Sequence, residues 1–487
     1  MEPLTDLLNY LRPSDASTVI ECSANSTCTA VHAVAASLIV LLILLTGFAY
    51  TTVLERRLIA WIQMRIGPNR AGPLGLLQPV ADAVKLIFKQ DITPTNADRF
   101  VYWLAPVLKV VPTLIVLAVV PLGPPMAVPW IDGNWYRVSL GLVDVNVGVL
   151  WLLAITSISV YGVAMAGWAS NNKYAMLGSL RSSASMISYE LSLASAFVVP
   201  VMLAGSLSVG DIIEAQSGNF IFNWYIFQNP VAAVIMLIAL FAETNRAPFD
   251  LPEAEQELVA GHMTEYSGMK FAMFFMAEYV SMIGVAVIFS SMFLGGYHFI
   301  LVDDAPWLGP LWLIGKVVAF LAFMVWVRAT FTRVRYDRLM TLGWKVMLPL
   351  ALVSIGYTAV VQVMLEEVEN QTLVTAVSVG MLVLLMGVAG AIFLRPRDLT
   401  AELETDPPDV VRLDKRGPGY YILQLVGGTL SVPFTLFNMA YDSAANVREY
   451  TGTGQRAEPA AERSDDAQLP APAGSSAPQL GSGSSGD

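Results

Sequence analysis

Between residues 241 and 261 the chain reads FAETNRAPFDLPEAEQELVAG. Glu243, Asp250, Glu253, Glu255 and Glu257 crowd into this stretch, Glu265 follows just beyond, and Arg246 is the one cation among them. Carboxylates this close titrate as a coupled set, some holding protons near neutral pH, so the stretch can act as a proton store or a charge-sensitive switch. A solvated acidic face has the same composition, and the residues alone leave the two readings open. Pro248 and Pro252 give the segment a fixed shape, and Pro252 suits the first turn of a short helix. On that helix Glu253 and Glu257 are neighbours at i, i+4 and repel if both are charged.

Four further ionisable residues fall inside strongly apolar segments: Glu190 in SYELSLA, Glu278 in MAEYV, Lys109 and Lys316. An ion in hydrocarbon costs at least a few kcal/mol, so each of these should face protein or water. Acids in such places serve either a proton path or a structural ion pair, for example Glu190 with Lys109. The stretches ERRLIAWIQMR and VRATFTRVRYDRLM carry the opposite charge. They read as lipid-headgroup contacts, or as a docking surface and the positive end of a pocket.

Other chemistry is excluded or weak. Cys22 and Cys28 can close a small disulfide loop in an oxidising compartment or remain free thiols. Two cysteines cannot hold an iron–sulfur cluster. His32, His262 and His298 lack metal-ligand spacing and read as structural, so no metal site is expected. There is no phosphate-binding loop, dinucleotide fingerprint or Ser-His-Asp set. The chain is expected to carry no redox centre of its own, and its net charge of −11 does not suggest nucleic acid.

What must position these residues is a membrane. The 487-residue chain is 55% hydrophobic and 14% charged, with a mean hydropathy of +0.58, against about 25% charge in a typical soluble domain. Apolar runs near the bilayer-spanning length predict about nine transmembrane helices, at 32–53, 101–122, 147–168, 184–204, 230–243, 269–294, 309–328, 344–364 and 373–394. The fold class is therefore an all-α integral membrane protein. Of 28 Lys and Arg residues, 24 fall on one side if the N-terminus is outside; the positive-inside rule then gives an extracytoplasmic N-terminus and a cytoplasmic C-terminus. In the first cytoplasmic loop, GPNRAGPLG is a shaped turn. The residues after it form an amphipathic surface helix, with Gln78, Asp82, Lys85 and Lys89 on one stripe and Val80, Val84 and Ile87 on the other face. The expected organisation is an extracytoplasmic segment 1–31, a polytopic membrane domain 32–394, a peripheral cytoplasmic segment 395–452 and a disordered tail 453–487.

The stretches ERRLIAWIQMRIGPNRAGPLGLLQPVADAVKLIFKQD and AETNRAPFDLPEAEQELVAG, followed through SYELSLA, MAEYV and FTRVRYDRLM, carry a resemblance that spans about 32–394. There the sequence resembles the H subunit of proton-pumping NADH:quinone oxidoreductase, respiratory complex I, whose mitochondrial counterpart is NADH dehydrogenase subunit 1. The ninth span goes beyond the eight-helix family core. The resemblance implies a membrane subunit that forms the membrane side of the quinone chamber and couples quinone reduction to proton translocation. It implies quinone as substrate, with flavin and iron–sulfur clusters in partner subunits. The implied partners are those hydrophilic subunits, the neighbouring small and antiporter-like membrane subunits, and the lipid of a bacterial cell membrane. By the same resemblance, Glu55, Arg56, Arg65, Asp82, Lys85, Arg328 and Arg333 belong to the chamber or its entrance. Glu243, Arg246, Asp250, Glu253, Glu255 and Glu257 form the acidic coupling loop. Glu190 and Glu278, with Lys109, belong to the proton path. The alternatives are the homologous subunit of a membrane-bound hydrogenase or formate hydrogenlyase, an independent secondary transporter, and an assembly scaffold. A transporter would show internal repeats with broken helices, which the sequence lacks.

Overall fold

Backbone polar groups in hydrocarbon must be satisfied within their own segment, so the apolar runs have little choice but to be helical. In the computed structural model, residues 19–22, 26–129, 135–218, 223–250, 259–299, 302, 305–367 and 371–393 are described. The expected segments 395–452 and 453–487 lie outside them, as do Glu253, Glu255 and Glu257. Helices stand at all nine expected spans: α1 (Ser26–Ile62), α3 (Arg99–Ile115), α4 (Gly148–Ala169), α5 (Lys173–Ala204), α8 (Pro230–Glu243), α9 (Gly268–Phe293), α10 (Leu308–Thr330), α12 (Leu348–Glu367) and α13 (Gln371–Phe393). The surface helix α2 (Gln78–Phe88) and the short helices α6 (Val209–Glu214), α7 (Tyr225–Gln228) and α11 (Tyr336–Thr341) are the remaining α-helices among the described residues.

Among the described residues seven helices are long and apolar enough to cross a membrane. In α8 and α13 the qualifying apolar stretches, Pro230–Glu243 and Val377–Val388, are shorter. For α8 the reason is local. Asn229 caps it by accepting from the Ala232 amide, and Pro230 occupies its first position. Its 14 residues rise about 21 Å, short of a hydrocarbon core of roughly 30 Å. Helix α5 is better framed, starting at the Asn172 cap and stopping at Gly205, whose φ of 66° suits the left-handed end of a helix.

Helix α5 packs against α4, α8 and α12, and α9 packs against α1, α3 and α10. Their buried faces merge in one core around Tyr189, Met236, Phe241, Val280 and Phe289. Outward faces are apolar too: Leu38, Ile39 and Leu42 on α1, and Leu177, Leu180 and Ile187 on α5, are exposed. That pattern suits lipid rather than water.

One small element was not expected. Strands β1 (Val19–Glu21), β2 (Met126–Pro129) and β3 (Trp135–Val138) form a sheet in the order β1-β3-β2, parallel then antiparallel. A Cys22–Cys28 disulfide, with Cα atoms 5.5 Å apart, packs on Tyr136 of this sheet. His32 Nε2 lies 2.8 Å from the Ser139 carbonyl. From His32, α1 runs about 35 Å to Glu55, so the sheet and the charged residues described next sit towards opposite ends of that helix.

Candidate functional site

At the far end of α1, Glu55 is 4% exposed and ion-paired. Arg246 Nη1 donates to its Oε1 at 3.2 Å, Arg328 Nη1 pairs with the same oxygen, and Tyr279 OH donates to Oε2 at 2.6 Å. Arg246 Nε reaches Glu278 Oε1 at 2.5 Å, and the guanidinium lies over the Tyr279 ring, 4.4 Å from its centroid. Four chain segments therefore converge on two carboxylates and two guanidiniums. Burial opposes the Arg246 charge, but Glu278 and Glu55 outweigh it and hold the guanidinium above its usual range. Removing any member would leave an uncompensated charge, which is the costly state for buried ions.

The backbone aims Arg246 at this cluster. Helix α8 ends at Glu243, and Asn245 turns the chain in the left-handed region, at φ 50°. Asn tolerates that conformation better than most residues. Further on, Asp250 is paired with Arg333 at 3.3 Å. Burial raises the Asp250 carboxyl above its ordinary range, against the pull of Arg333, Arg328 and Arg246.

These groups open on a cavity of about 410 Å³. Its wall combines Arg246, Asp250, Glu278, Arg328 and Arg333 with Phe271, Phe275 and Tyr279. Its size and mixture of aromatic surface with a few convergent polar groups are those of a small-molecule site. Behind it lies a second cavity, of about 20 Å³, lined by Lys109, Glu243, Asn245, His262, Glu278 and Ser281 among others. Glu278 and Met263 border both spaces. Beyond, Lys109 and Glu190 act electrostatically on Glu243, and Ser157 Oγ donates to Glu190 Oε1.

The structure thus brings together Glu55, Arg246, Asp250, Glu278, Arg328 and Arg333, and places Lys109 and Glu243 just behind them. It keeps Arg56 and Asp82 apart, as a half-exposed pair at 2.8 Å that ties α2 to α1. That pairing turns the apolar side of α2 outward, leaving Val80, Val84, Ile87 and Phe88 exposed. Lys85 is exposed, and Arg65 donates to Gln63 at 2.7 Å; neither borders the large cavity. The loop before α2 is held by close backbone packing, since a Cβ on Gly75 would run into the Pro68 carbonyl.

Sequence reading missed three contributors. Tyr279 stands next to Glu278 in MAEYV, and its aromatic face and hydroxyl serve two different ions. Lys270 is buried against Asp91 at 3.1 Å and lies over Trp103 at 4.0 Å, fastening α9 to the segment after α2. His262 is 4% exposed, and burial, together with Lys109, pulls its pKa from 6.5 to about 3. Lys316 donates to the carbonyls of Leu294, Gly296 and His298 at 2.6–2.8 Å. Among the described residues no group of three or more His, Cys, Asp or Glu side chains could hold a metal ion.

A family model described as NADH dehydrogenase matches residues 35–359. The chain is 50% identical over 321 residues to an H subunit of NADH-quinone oxidoreductase from Geobacter metallireducens, covering 66% of this chain and 93% of that one. It is 48% identical over 328 residues to the corresponding H subunit from Deinococcus radiodurans, covering 65% and 80%. To NADH-quinone oxidoreductase subunit 8 of Thermus thermophilus it is 46% identical over 325 residues, covering 67% and 85%.

Proposed function

The chain belongs to the NADH dehydrogenase family as a membrane subunit of NADH-quinone oxidoreductase, and from that membership we propose that its charged cavity is the membrane side of the quinone chamber. Other subunits of the complex are its partners. Flavin and iron–sulfur clusters belong to hydrophilic subunits docked over the basic loops, and small and antiporter-like membrane subunits flank the bundle. The membrane is a bacterial cell membrane, crossed by nine helices, with the N-terminus outside and the C-terminus inside.

The observation that carries this reading is the shared wall: Glu278 borders both the large cavity and the small one behind it. Phe271, Phe275 and Tyr279 offer apolar and aromatic surface to a quinone ring, and Arg246, Arg328 and Arg333 attract negative charge. Reduction to quinol takes two electrons and two protons. Anionic charge in the cavity competes with Glu55 and Glu278 for Arg246, and a carboxylate that loses its arginine takes up a proton more readily. That change passes inward from Glu278 to Glu243 and then Glu190, with Lys109 beside them. Asp250 supplies a carboxylate on the cavity wall, and Glu253, Glu255 and Glu257, which follow it in sequence, belong to the same acidic coupling loop. The exposed apolar side of α2 lies at the lateral entrance, with Arg56, Arg65, Asp82 and Lys85 around it.

Mild detergent extraction followed by identification of co-purifying chains tests the assembly. Flavin and iron–sulfur subunits with inhibitor-sensitive NADH:quinone activity are expected; a lone chain that transports an ion after reconstitution contradicts the reading. Within the complex, Glu253→Gln or Glu255→Gln is expected to lower quinone turnover and leave NADH oxidation by an artificial acceptor intact. Unchanged quinone turnover would make that stretch a solvated face.

A further inference from the structure

Glu243 and Glu278 come from different helices, α8 and α9, and meet across the cavity of about 20 Å³. Two other residues on its wall carry buried atoms with nothing to bond. His262 Nδ1 and Asn245 Oδ1 have no hydrogen-bond partner among the described residues. Buried polar atoms are seldom orphaned, and where protein offers no partner an ordered water commonly does. The space fits one: about 20 Å³ against the roughly 10–15 Å³ that a water needs. Glu243 and Glu278 on the same wall bring the polar partners to four, the upper end of the two to four that hold a buried water.

The fold fixes both orphaned residues. Asn245 sits in its left-handed turn after α8. The backbone at Gly261 and His262 lies so close to α5 that a Cβ on Gly178 would come within 2.6 Å of the Gly261 Cα. The His262 and Phe274 rings pack in a T-shaped pair, with centroids 5.5 Å apart and planes at 79°. Gly178 is therefore a small residue required by the approach of His262 to the cavity.

Building on the proton-path reading above, we infer that His262 and Asn245 hold a water between Glu278 and Glu243, which makes His262 a positioning residue of the relay. The water accepts a proton from the Glu278 carboxyl as it gives one of its own to the Glu243 carboxylate. Water and imidazole both end as they began. A neutral imidazole suits the task, because Nδ1 either donates or accepts according to tautomer. His262 is kept neutral by burial and by the neighbouring Lys109 charge.

The test uses the whole complex in native membrane vesicles. It compares NADH oxidation by an artificial acceptor, quinone turnover and proton uptake per electron. His262→Phe keeps a ring but removes both nitrogens; His262→Asn returns a polar atom near the position of Nδ1. His262→Phe is expected to cut proton-coupled quinone turnover roughly tenfold, the effect of losing one buried hydrogen-bonding group, with the artificial-acceptor rate unchanged. His262→Asn is expected to recover most of it. Full coupled turnover in His262→Phe overturns the inference, and so does a His262→Asn variant as slow as His262→Phe, which would assign the residue to packing. If His262→Phe does not assemble, Asn245→Gly decides: it keeps the left-handed backbone, removes Oδ1 and should slow turnover severalfold, and an unchanged rate overturns the inference. Glu243→Gln and Glu278→Gln run in parallel. If they are slow while both His262 variants are normal, only the positioning role of His262 fails. If they are normal, the proton-path reading fails with it.

Discussion

The first half of α9 and the turn past its C-terminal end each adjoin a charge that is partly withdrawn from water, and they satisfy it differently. In the first half of the helix, Glu278 is answered by Arg246, which is itself shared with Glu55 and covered by Tyr279. At the other end, Lys316 is answered by three backbone carbonyls at Leu294, Gly296 and His298, with the Trp224 ring 4.4 Å away. Carbonyls at a helix C-terminus neither titrate nor change partner; they lock a cation in place and complement the helix dipole. Carboxylates can take up and release protons, and both they and guanidiniums can exchange partners; here they stand on the wall of a cavity. Burial of an ion in a membrane protein is therefore not enough to mark function. What separates the two ends is whether the partner can itself change state.

The comparison breaks most visibly at Arg246. Arg246→Met removes the ion-pair partner of Glu278 and leaves Glu55 with Arg328 alone, a loss of about 3–5 kcal/mol for a broken buried pair. Quinone turnover should collapse, and the thermal stability of the assembled complex should fall with it. A variant with wild-type turnover would mean that the network is not part of the site. Next, Lys316→Met should uncap three carbonyls and lower stability by about 2 kcal/mol, while quinone turnover per assembled complex stays near wild type. A specific loss of turnover there, with stability intact, would erase the distinction between the two ends. The smallest effect is expected at the sheet. Cys22→Ser opens a short loop, costs about 2 kcal/mol or less, and leaves turnover and proton uptake unchanged.

Much of this is legible in the sequence. Glu278 and Glu190 announce themselves as lone carboxylates in apolar runs, and the long basic and acidic loops carry the family resemblance. The placement of seven of the helices follows from apolar length, while the apolar stretches in α8 and α13 are shorter. The hub at Glu55 is harder to read, because its partners lie at residues 246, 279 and 328 and no local spacing connects them. Lys316 could not be assigned because backbone carbonyls leave no signature in a sequence. His262 reads as an isolated histidine until folding brings α8 and the Gly261–Met263 turn onto one cavity. The three-stranded sheet escaped notice for another reason: strands of three and four residues are too short for an alternating pattern to show.

The claim at the centre is that Glu278 joins the quinone cavity to the proton path. Proton uptake per electron transferred, measured in membrane vesicles carrying Glu278→Gln, tests it most directly. A neutral, isosteric side chain keeps the packing and most of the hydrogen bonding but cannot release a proton. The account predicts slow or uncoupled quinone reduction beside an undiminished artificial-acceptor rate. Wild-type turnover with a wild-type proton-to-electron ratio would contradict it.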